Sequence, residues 1–218
     1  MTHSRDTSLN ERPSGGAARF AANSASGLFH PEAEPPGAAP AHRRAVGAGP
    51  DMRFTLARCS LGPLLVAASR KGVCAIMFGE ESDELARELL RRFSQAEFTR
   101  DNAELQGTVA GVIGCIEEPS ADFALPLDIR GTAFQQLVWA ALRDIPPGTT
   151  ASYAEIATRI GNAKAARAVA GACAANHIAV AIPCHRVVRT GGALSGYRWG
   201  VERKRALLDR EARARPGV

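Results

Sequence analysis

Apolar residues set no rhythm over the first fifty positions; a pattern begins at Met52 and changes character near residue 130. Phe54 and Leu56, then Leu64-Leu65-Val66-Ala67, predict two strands joined at Ser60-Leu61-Gly62-Pro63. Val73-Cys74-Ala75-Ile76-Met77-Phe78 predicts a third after Lys71-Gly72. Short apolar runs punctuated by Gly and Pro are the pattern of a small antiparallel meander. Ser82 is placed to cap a helix whose apolar face is Leu85, Leu89, Leu90 and Phe93. A second helix is expected from Leu105 to Ile116. Residues 119–131, with two prolines, are expected to be a linker between domains.

From Thr132 the spacing turns helical. Phe134, Leu137, Val138, Ala141 and Leu142 recur at helical intervals behind Thr132, a good N-cap, and Ile145-Pro146-Pro147-Gly148 ends the helix. Ser152 with Glu155 three residues later forms a capping box that opens the next helix, which stops at Gly161-Asn162. A further helix is expected from about Ala163 to Ala175. Two helices around a short glycine-containing turn are a helix-turn-helix signature. Many helical hairpins have that shape and bind nothing. In the second helix, Arg167, Ala170, Gly171 and Ala174 fall on one face; Val169, Ala172, Cys173 and Asn176 fall on the other. The first face is flat, with one arginine at its leading end. It suits either close approach to a nucleic-acid groove or tight packing against another helix.

Composition narrows the classes. The chain has 218 residues, 45% of them hydrophobic, enough for one large domain or two small ones. Residues 1–50 are rich in Gly, Pro, Ala and Ser and are expected to form a disordered tail. No stretch approaches the roughly 20 apolar residues of a membrane span. No signal pattern opens the chain, so a cytoplasmic location is expected. The five cysteines, Cys59, Cys74, Cys115, Cys173 and Cys184, form no Cys-x-x-Cys pair, so free thiols are expected and no metal site. Charge is unevenly placed. Residues 51–129 carry eight Lys/Arg against thirteen acids, and residues 130–218 carry fourteen against five. A basic C-terminal third fits an anionic partner such as nucleic acid, and equally an ordinary solvated surface.

One cysteine stands apart. Cys184 follows Pro183 and precedes His185 and Arg186, and neighbouring basic groups favour the thiolate, the nucleophilic form. The other four have no such neighbours and read as small buried hydrophobes. Around Cys184 the chain carries Gly131-Thr132-x-Phe134-Gln135-x-x-Val138-Trp139, Ile145-Pro146-x-Gly148-x-Thr150-x-Ser152-Tyr153, Arg167-Ala168-Val169, Asn176, Pro183-Cys184-His185-Arg186-Val187-Val188 and Gly196-Tyr197. Together these resemble the O6-alkylguanine-DNA alkyltransferases over about residues 52–213. They are most like the C-terminal half of the bacterial Ada type, including Ser195-Gly196-Tyr197-Arg198-Trp199-Gly200.

The resemblance implies an α/β + α fold. A small ribonuclease-H-like antiparallel sheet-and-helix domain would cover residues 51–128, and a helical, winged helix-turn-helix-like alkyltransferase domain residues 129–218. It implies a monomer that acts on double-stranded DNA with alkylated bases. Cys184 would take the alkyl group from a flipped O6-alkylguanine, with O4-methylthymine a second candidate substrate, once and irreversibly, with no cofactor. His185 would act as base through a water and Glu211 would orient it. Asn176 would brace the turn, Tyr153 would donate to the base, and Arg167 would fill the gap in the duplex. The carbonyls of Cys184 and Val187 and the amides near Tyr197 and Arg198 would hold the guanine. Residues 1–50 contain no cysteine, so the N-terminal zinc site and regulatory role of full Ada proteins do not carry over. Trp199 stands where some members have glycine, so a tighter pocket and slower reaction with O6-benzyl groups are expected. Three rival readings remain: a lesion binder without chemistry, a helix-turn-helix regulator and a Cys-His hydrolase.

Overall fold

The computed structural model describes residues 51–119, 123–194 and 196–214; the expected tail and Ser195 lie outside them. Strands β1 (Asp51–Cys59), β2 (Gly62–Ser69) and β3 (Gly72–Phe78) form the expected meander. β1 pairs antiparallel with β2, and β2 with β3. β2 and β3 are buried along almost their whole length, which is why they read as runs rather than alternations. The turn between them needs Gly72. Its φ is +137°, and a Cβ there would stand 2.2 Å from the Pro126 carbonyl oxygen. That contact is part of a short parallel bridge. The Val73 amide donates to Pro126 O and the Asp128 amide to Val73 O, both at 2.8 Å. The far end of the expected linker is therefore docked on β3.

The sheet is not wholly antiparallel. A fourth strand, β4 (Glu97–Arg100), runs parallel to β1 and gives the order β3-β2-β1-β4. Four residues with a single apolar one, Phe98, gave no alternation to read. Phe98 packs edge-on against Phe54 and Phe93. Helix α1 (Ser82–Arg92) begins at the expected cap residue itself: Glu81 is the N-cap and no side chain caps the helix. Leu85 and Leu89 are buried, but Leu90 is 52% exposed. Helix α2 (Gln106–Glu117) buries Val109, Val112, Ile113 and Ile116.

The second half follows its caps closely. Helix α3 (Ala133–Arg143) opens with a full capping box between Thr132 and Gln135. β5 (Ala151–Ser152) leads into α4 (Tyr153–Arg159), capped by Ser152 and Glu155 as expected. Gly161, at φ +77°, turns the chain into α5 (Ala166–Ala175). This helix starts three residues later than expected, because Asn162 O takes the Ala165 amide and closes a turn first. Its two faces divide as the spacing predicts: Arg167, Gly171 and Ala174 are exposed, while Val169, Ala172, Cys173 and Asn176 are buried. Trp139 of α3 reaches across to donate its indole N–H to Ala172 O at 2.9 Å. A 3-10 turn at Cys184–Arg186, strand β6 (Val187–Val188) and helix α6 (Val201–Ala214) complete the fold. One apolar cluster runs through both halves. No helix among the described residues is long and apolar enough to cross a membrane.

Candidate active site

Where α5 ends, Asn176 takes an extended backbone and its side chain is fully buried. The side chain ties three points of the following loop together. Its oxygen accepts from the Ile178 amide at 2.9 Å, and its nitrogen donates to Ile182 O at 2.8 Å and to Cys184 Sγ at 3.1 Å. Between these ties the chain turns sharply, and Val180 sits at φ +67°. Cys184 thus starts its 3-10 turn with a donor aimed at its sulfur and only 5% of its surface exposed. Burial pushes its thiol up; the Asn176 hydrogen bond and the Lys204 charge pull the other way. Of the four cysteines read as small buried hydrophobes, Cys74 and Cys173 are buried and Cys59 and Cys115 only partly so. Burial raises the Cys74 thiol to about 12 and pushes the Cys173 thiol up as well.

His185, fully buried, meets Glu211 of α6: Nε2 lies 2.7 Å from Oε1. Glu211 is itself buried and collects further donors. Arg186 Nε reaches its two oxygens at 2.9 and 3.1 Å, and the Gly148 amide reaches Oε2 at 3.0 Å. Burial alone would raise this carboxyl, but the hydrogen bonds and charges of His185 and Arg186 outweigh it and bring it down to about 2. An ionised Glu211 places the shared proton on His185 Nε2. Burial favours the neutral ring, and the Glu211 hydrogen bond opposes it. Nδ1 is then the lone-pair nitrogen, and it is buried with no hydrogen-bond partner among the described residues.

The partners of one cation here, and the whole of another, escaped the sequence reading. Arg186 also donates to Ile145 O at 2.5 Å. Lys204, 1% exposed, donates to Val187 O at 2.5 Å. A signal for Lys204 exists in the sequence: Lys204, Leu207 and Glu211 share the buried stripe of α6, so two charges lie where apolar residues belong.

The remaining expected residues lie at differing remove from this cluster. β5 pairs in parallel with β6, Ala151 with Val187 and Ser152 with Val188, so Tyr153 follows directly from a strand bonded to the acceptor loop. Tyr153 is half-buried at the first turn of α4, and Arg167 is exposed in the first turn of α5. The Tyr197 hydroxyl and Trp199 Nε1 are buried without hydrogen-bond partners among the described residues. Burial, then the Cys184 charge, push the Tyr197 phenol up. The Arg198 side chain turns the other way: it donates to Ala174 O at 2.9 Å, pairs with Glu88 and lies over the Trp199 ring. No cluster of metal-ligating side chains occurs among the described residues. The arrangement therefore offers a buried thiol, an unpartnered imidazole nitrogen on the next residue, and the unpartnered polar atoms of Tyr197 and Trp199.

Residues 52–129 match the family described as 6-O-methylguanine DNA methyltransferase, ribonuclease-like domain, and residues 133–213 its DNA binding domain. The chain is 53% identical over 161 residues to the bifunctional transcriptional activator/DNA repair enzyme Ada of Escherichia coli, covering 74% of this chain and 46% of that protein. It thus spans about half the length of the Ada-type relatives it matches. It is 37% identical over 164 residues to the inducible methylated-DNA--protein-cysteine methyltransferase of Bacillus subtilis, covering 75% of this chain and 87% of that one. Among solved structures, Mycobacterium tuberculosis OGT in complex with DNA superposes with a TM-score of 0.63 at 37% identity, over 76% of this chain and 95% of that one. The chain belongs to the 6-O-methylguanine DNA methyltransferase family.

Proposed function

We propose that this protein repairs alkylated DNA by direct transfer of the alkyl group from O6-alkylguanine to Cys184, once per molecule. The observation that carries the reading is the 3.1 Å contact from Asn176 to a buried Cys184 thiol, next in sequence to a His185 held by Glu211. In the proposed step, His185 Nδ1 takes the thiol proton through a water. The sulfur attacks the alkyl carbon, an S–C bond forms and the C–O6 bond breaks. The electron pair passes to the guanine, to which the Tyr153 hydroxyl donates a hydrogen bond, and the guanine takes its proton from water. The charged imidazole that results is stabilised by Glu211, as in any oriented acid–base pair. The product is a thioether, so the protein is consumed.

An O6 group inside a duplex is out of reach of a buried sulfur, so the base must be flipped, at a few kcal/mol. Arg167, exposed at the head of a helix face built from Ala and Gly, is the residue we assign to the vacated stack. The carbonyls of Cys184 and Val187 and the amides near Tyr197 and Arg198 would hold the extruded base. The finer fold reading is supported by the strand order. Three antiparallel strands with a fourth parallel to the first suit a ribonuclease-H-like domain over residues 51–128, and α4–α5 with β5–β6 suit a winged helix-turn-helix over 129–218. Trp199 is 4% exposed, and Trp199→Gly should speed reaction with O6-benzylguanine; equal rates would discard the tight-pocket idea.

The deciding experiment incubates the protein with duplex DNA containing O6-methylguanine and weighs the intact protein. One added methyl, lost in Cys184→Ala, is expected. No adduct, or turnover beyond one equivalent, overturns the reading.

A further inference from the structure

Helix α5 ends without a cation of its own: its last turn contains no basic residue, and its C-cap, Asn176, is extended. The last carbonyls of a helix have no partner inside it and carry partial negative charge. In this protein two guanidinium groups from elsewhere supply the partners. Arg92, at the end of α1, donates to Ala175 O at 2.5 Å, and Arg198 donates to Ala174 O at 2.9 Å. Glu88, one turn before Arg92 on α1, pairs with Arg198 across the two halves of the molecule, and its charge also acts on Arg92. On the other side of Asn176, strand β3 grips the chain again. The Ile76 amide donates to His177 O at 2.8 Å, and the Ala179 amide donates to Ile76 O at 2.9 Å. Asn176 therefore sits between two sets of ties, each with an anchor in the sheet-bearing half (Arg92 with Glu88 on one side, Ile76 on the other), and its own side chain holds the Cys184 sulfur.

We propose that Arg92 and Arg198, the latter held by Glu88, are positioning residues: a clamp on the end of α5 that sets Asn176 against the acceptor thiol. The proposal rests on the alkyl-transfer reading for its consequence on rate, but not for its consequence on the thiol. A residue beside the reacting atom that shifts by about 1 Å can lower rate up to a hundredfold. Asn176 also favours the thiolate, so loosening it should raise the thiol's apparent pKa.

The test compares wild type with Arg92→Met, Arg198→Met, the double variant, Arg92→Lys and Glu88→Gln, all in the full chain. Two quantities are read. The first is the pH dependence of iodoacetamide modification at the Cys184 peptide, which needs no substrate. The second is the rate of alkyl uptake from free O6-benzylguanine and from O6-methylguanine duplex. The double variant should move the Cys184 profile to higher pH and slow both substrates alike, roughly ten- to a hundredfold. Arg92→Lys should recover part of the loss, and Glu88→Gln should give an intermediate one. An unchanged Cys184 profile and unchanged rates, even with lowered thermal stability, overturn the clamp, since a structural tie alone would give that pattern. Should either Met variant fail to fold, Glu88→Gln and Arg92→Lys carry the same decision, and wild-type behaviour in Glu88→Gln overturns it. A wild type that takes no alkyl group at all refutes the alkyl-transfer reading, while the Cys184 profile still decides the clamp.

Discussion

The acceptor loop, residues 176–188, and the outward face of α5 are neighbours in the chain, yet they are built on opposite principles. In the loop, polar side chains are buried and nearly every one is bonded. Asn176 ties three points, Glu211 gathers His185, Arg186 and the Gly148 amide, and Lys204 closes on Val187 O. On the α5 face, the proposed function rests on what is missing. Gly171 and Ala174 expose almost nothing but backbone behind one long side chain, Arg167. In the proposed mechanism the first region sets chemistry, where a buried and satisfied network keeps one geometry. The second sets reach, where small residues let a helix lie close to DNA. Substitutions should therefore fail differently in the two regions: in the loop through stability and chemistry together, on the face through DNA alone.

Glu211→Gln presses hardest on this contrast. The carboxylate is the counter-charge to Arg186 and the orienting partner of His185. Removing one partner of a buried ion pair costs about 3–5 kcal/mol, and loss of an oriented base costs roughly 10²–10⁴ in rate. Chemical denaturation and single-turnover kinetics should show both losses, with DNA and free O6-benzylguanine slowed equally. A variant that keeps its stability, or is slow only on DNA, would break the division between the regions.

Arg167→Ala tests the other side. Repair of duplex O6-methylguanine should fall about tenfold or more, because unstacking a base costs a few kcal/mol that the arginine offsets. Reaction with free O6-benzylguanine and the unfolding midpoint should stay near wild type. Equal losses on both substrates would remove the flipping role and return α5 to the packing reading that its composition also allows.

Acid should act on the buried network first. His177 is wedged edge-on between Phe93 and Trp139, and burial, with the nearby Arg92 charge, lowers its pKa from 6.5 to about 4. The unfolded chain then binds the proton more readily than the folded one, so stability falls as pH drops from 6.5 towards 4. Glu211, lowered from 4.5 to about 2, adds a second loss between pH 4.5 and 2. Urea unfolding across these windows should show the two legs in that order, and His177→Met should make the upper one shallower, with buried His185 keeping a share of it. A profile flat from pH 6.5 to 4.5 in the wild type would contradict a neutral, buried His177.

What could be read from the chain divides along the same line. Capping boxes at Thr132 and Ser152 are local, three residues wide, and gave the starts of α3 and α4. The face split of α5 follows from a 3.6-residue period. The acceptor cluster is non-local: Glu211 meets His185 across 26 residues and Lys204 meets Val187 across 17. No periodicity carries such pairs, and Glu211 was reached only through the family's pattern. Arg186 was noted for its place beside Cys184, yet its partners Ile145 and Glu211 were not visible. β4 was missed because its four residues borrow their order from β1 rather than from their own side chains. Ser82 looked like a cap because serine favours that place and glutamate does not, yet Glu81 holds it with no side-chain hydrogen bond.

The smallest expected effect lies inside the loop, at Val180. A β-branched residue in the left-handed region costs roughly 1–2 kcal/mol, and Val180 is held there at φ +67°. It borders a cavity of about 480 Å³ shared with Pro183, Arg186 and Glu211, so its side chain is not tightly enclosed. Glycine would release the strain but lose roughly 0.5–1 kcal/mol in chain entropy. Val180→Gly should therefore gain at most about 1 kcal/mol in denaturant unfolding, with the slope unchanged. If the Asn176 ties alone set the loop, single-turnover rates should also be unchanged. A slower variant would mean that the Val180 turn, and not only the hydrogen bonds around it, aims the thiol, and the contrast drawn above would then have to include backbone strain among the loop's means of holding Cys184.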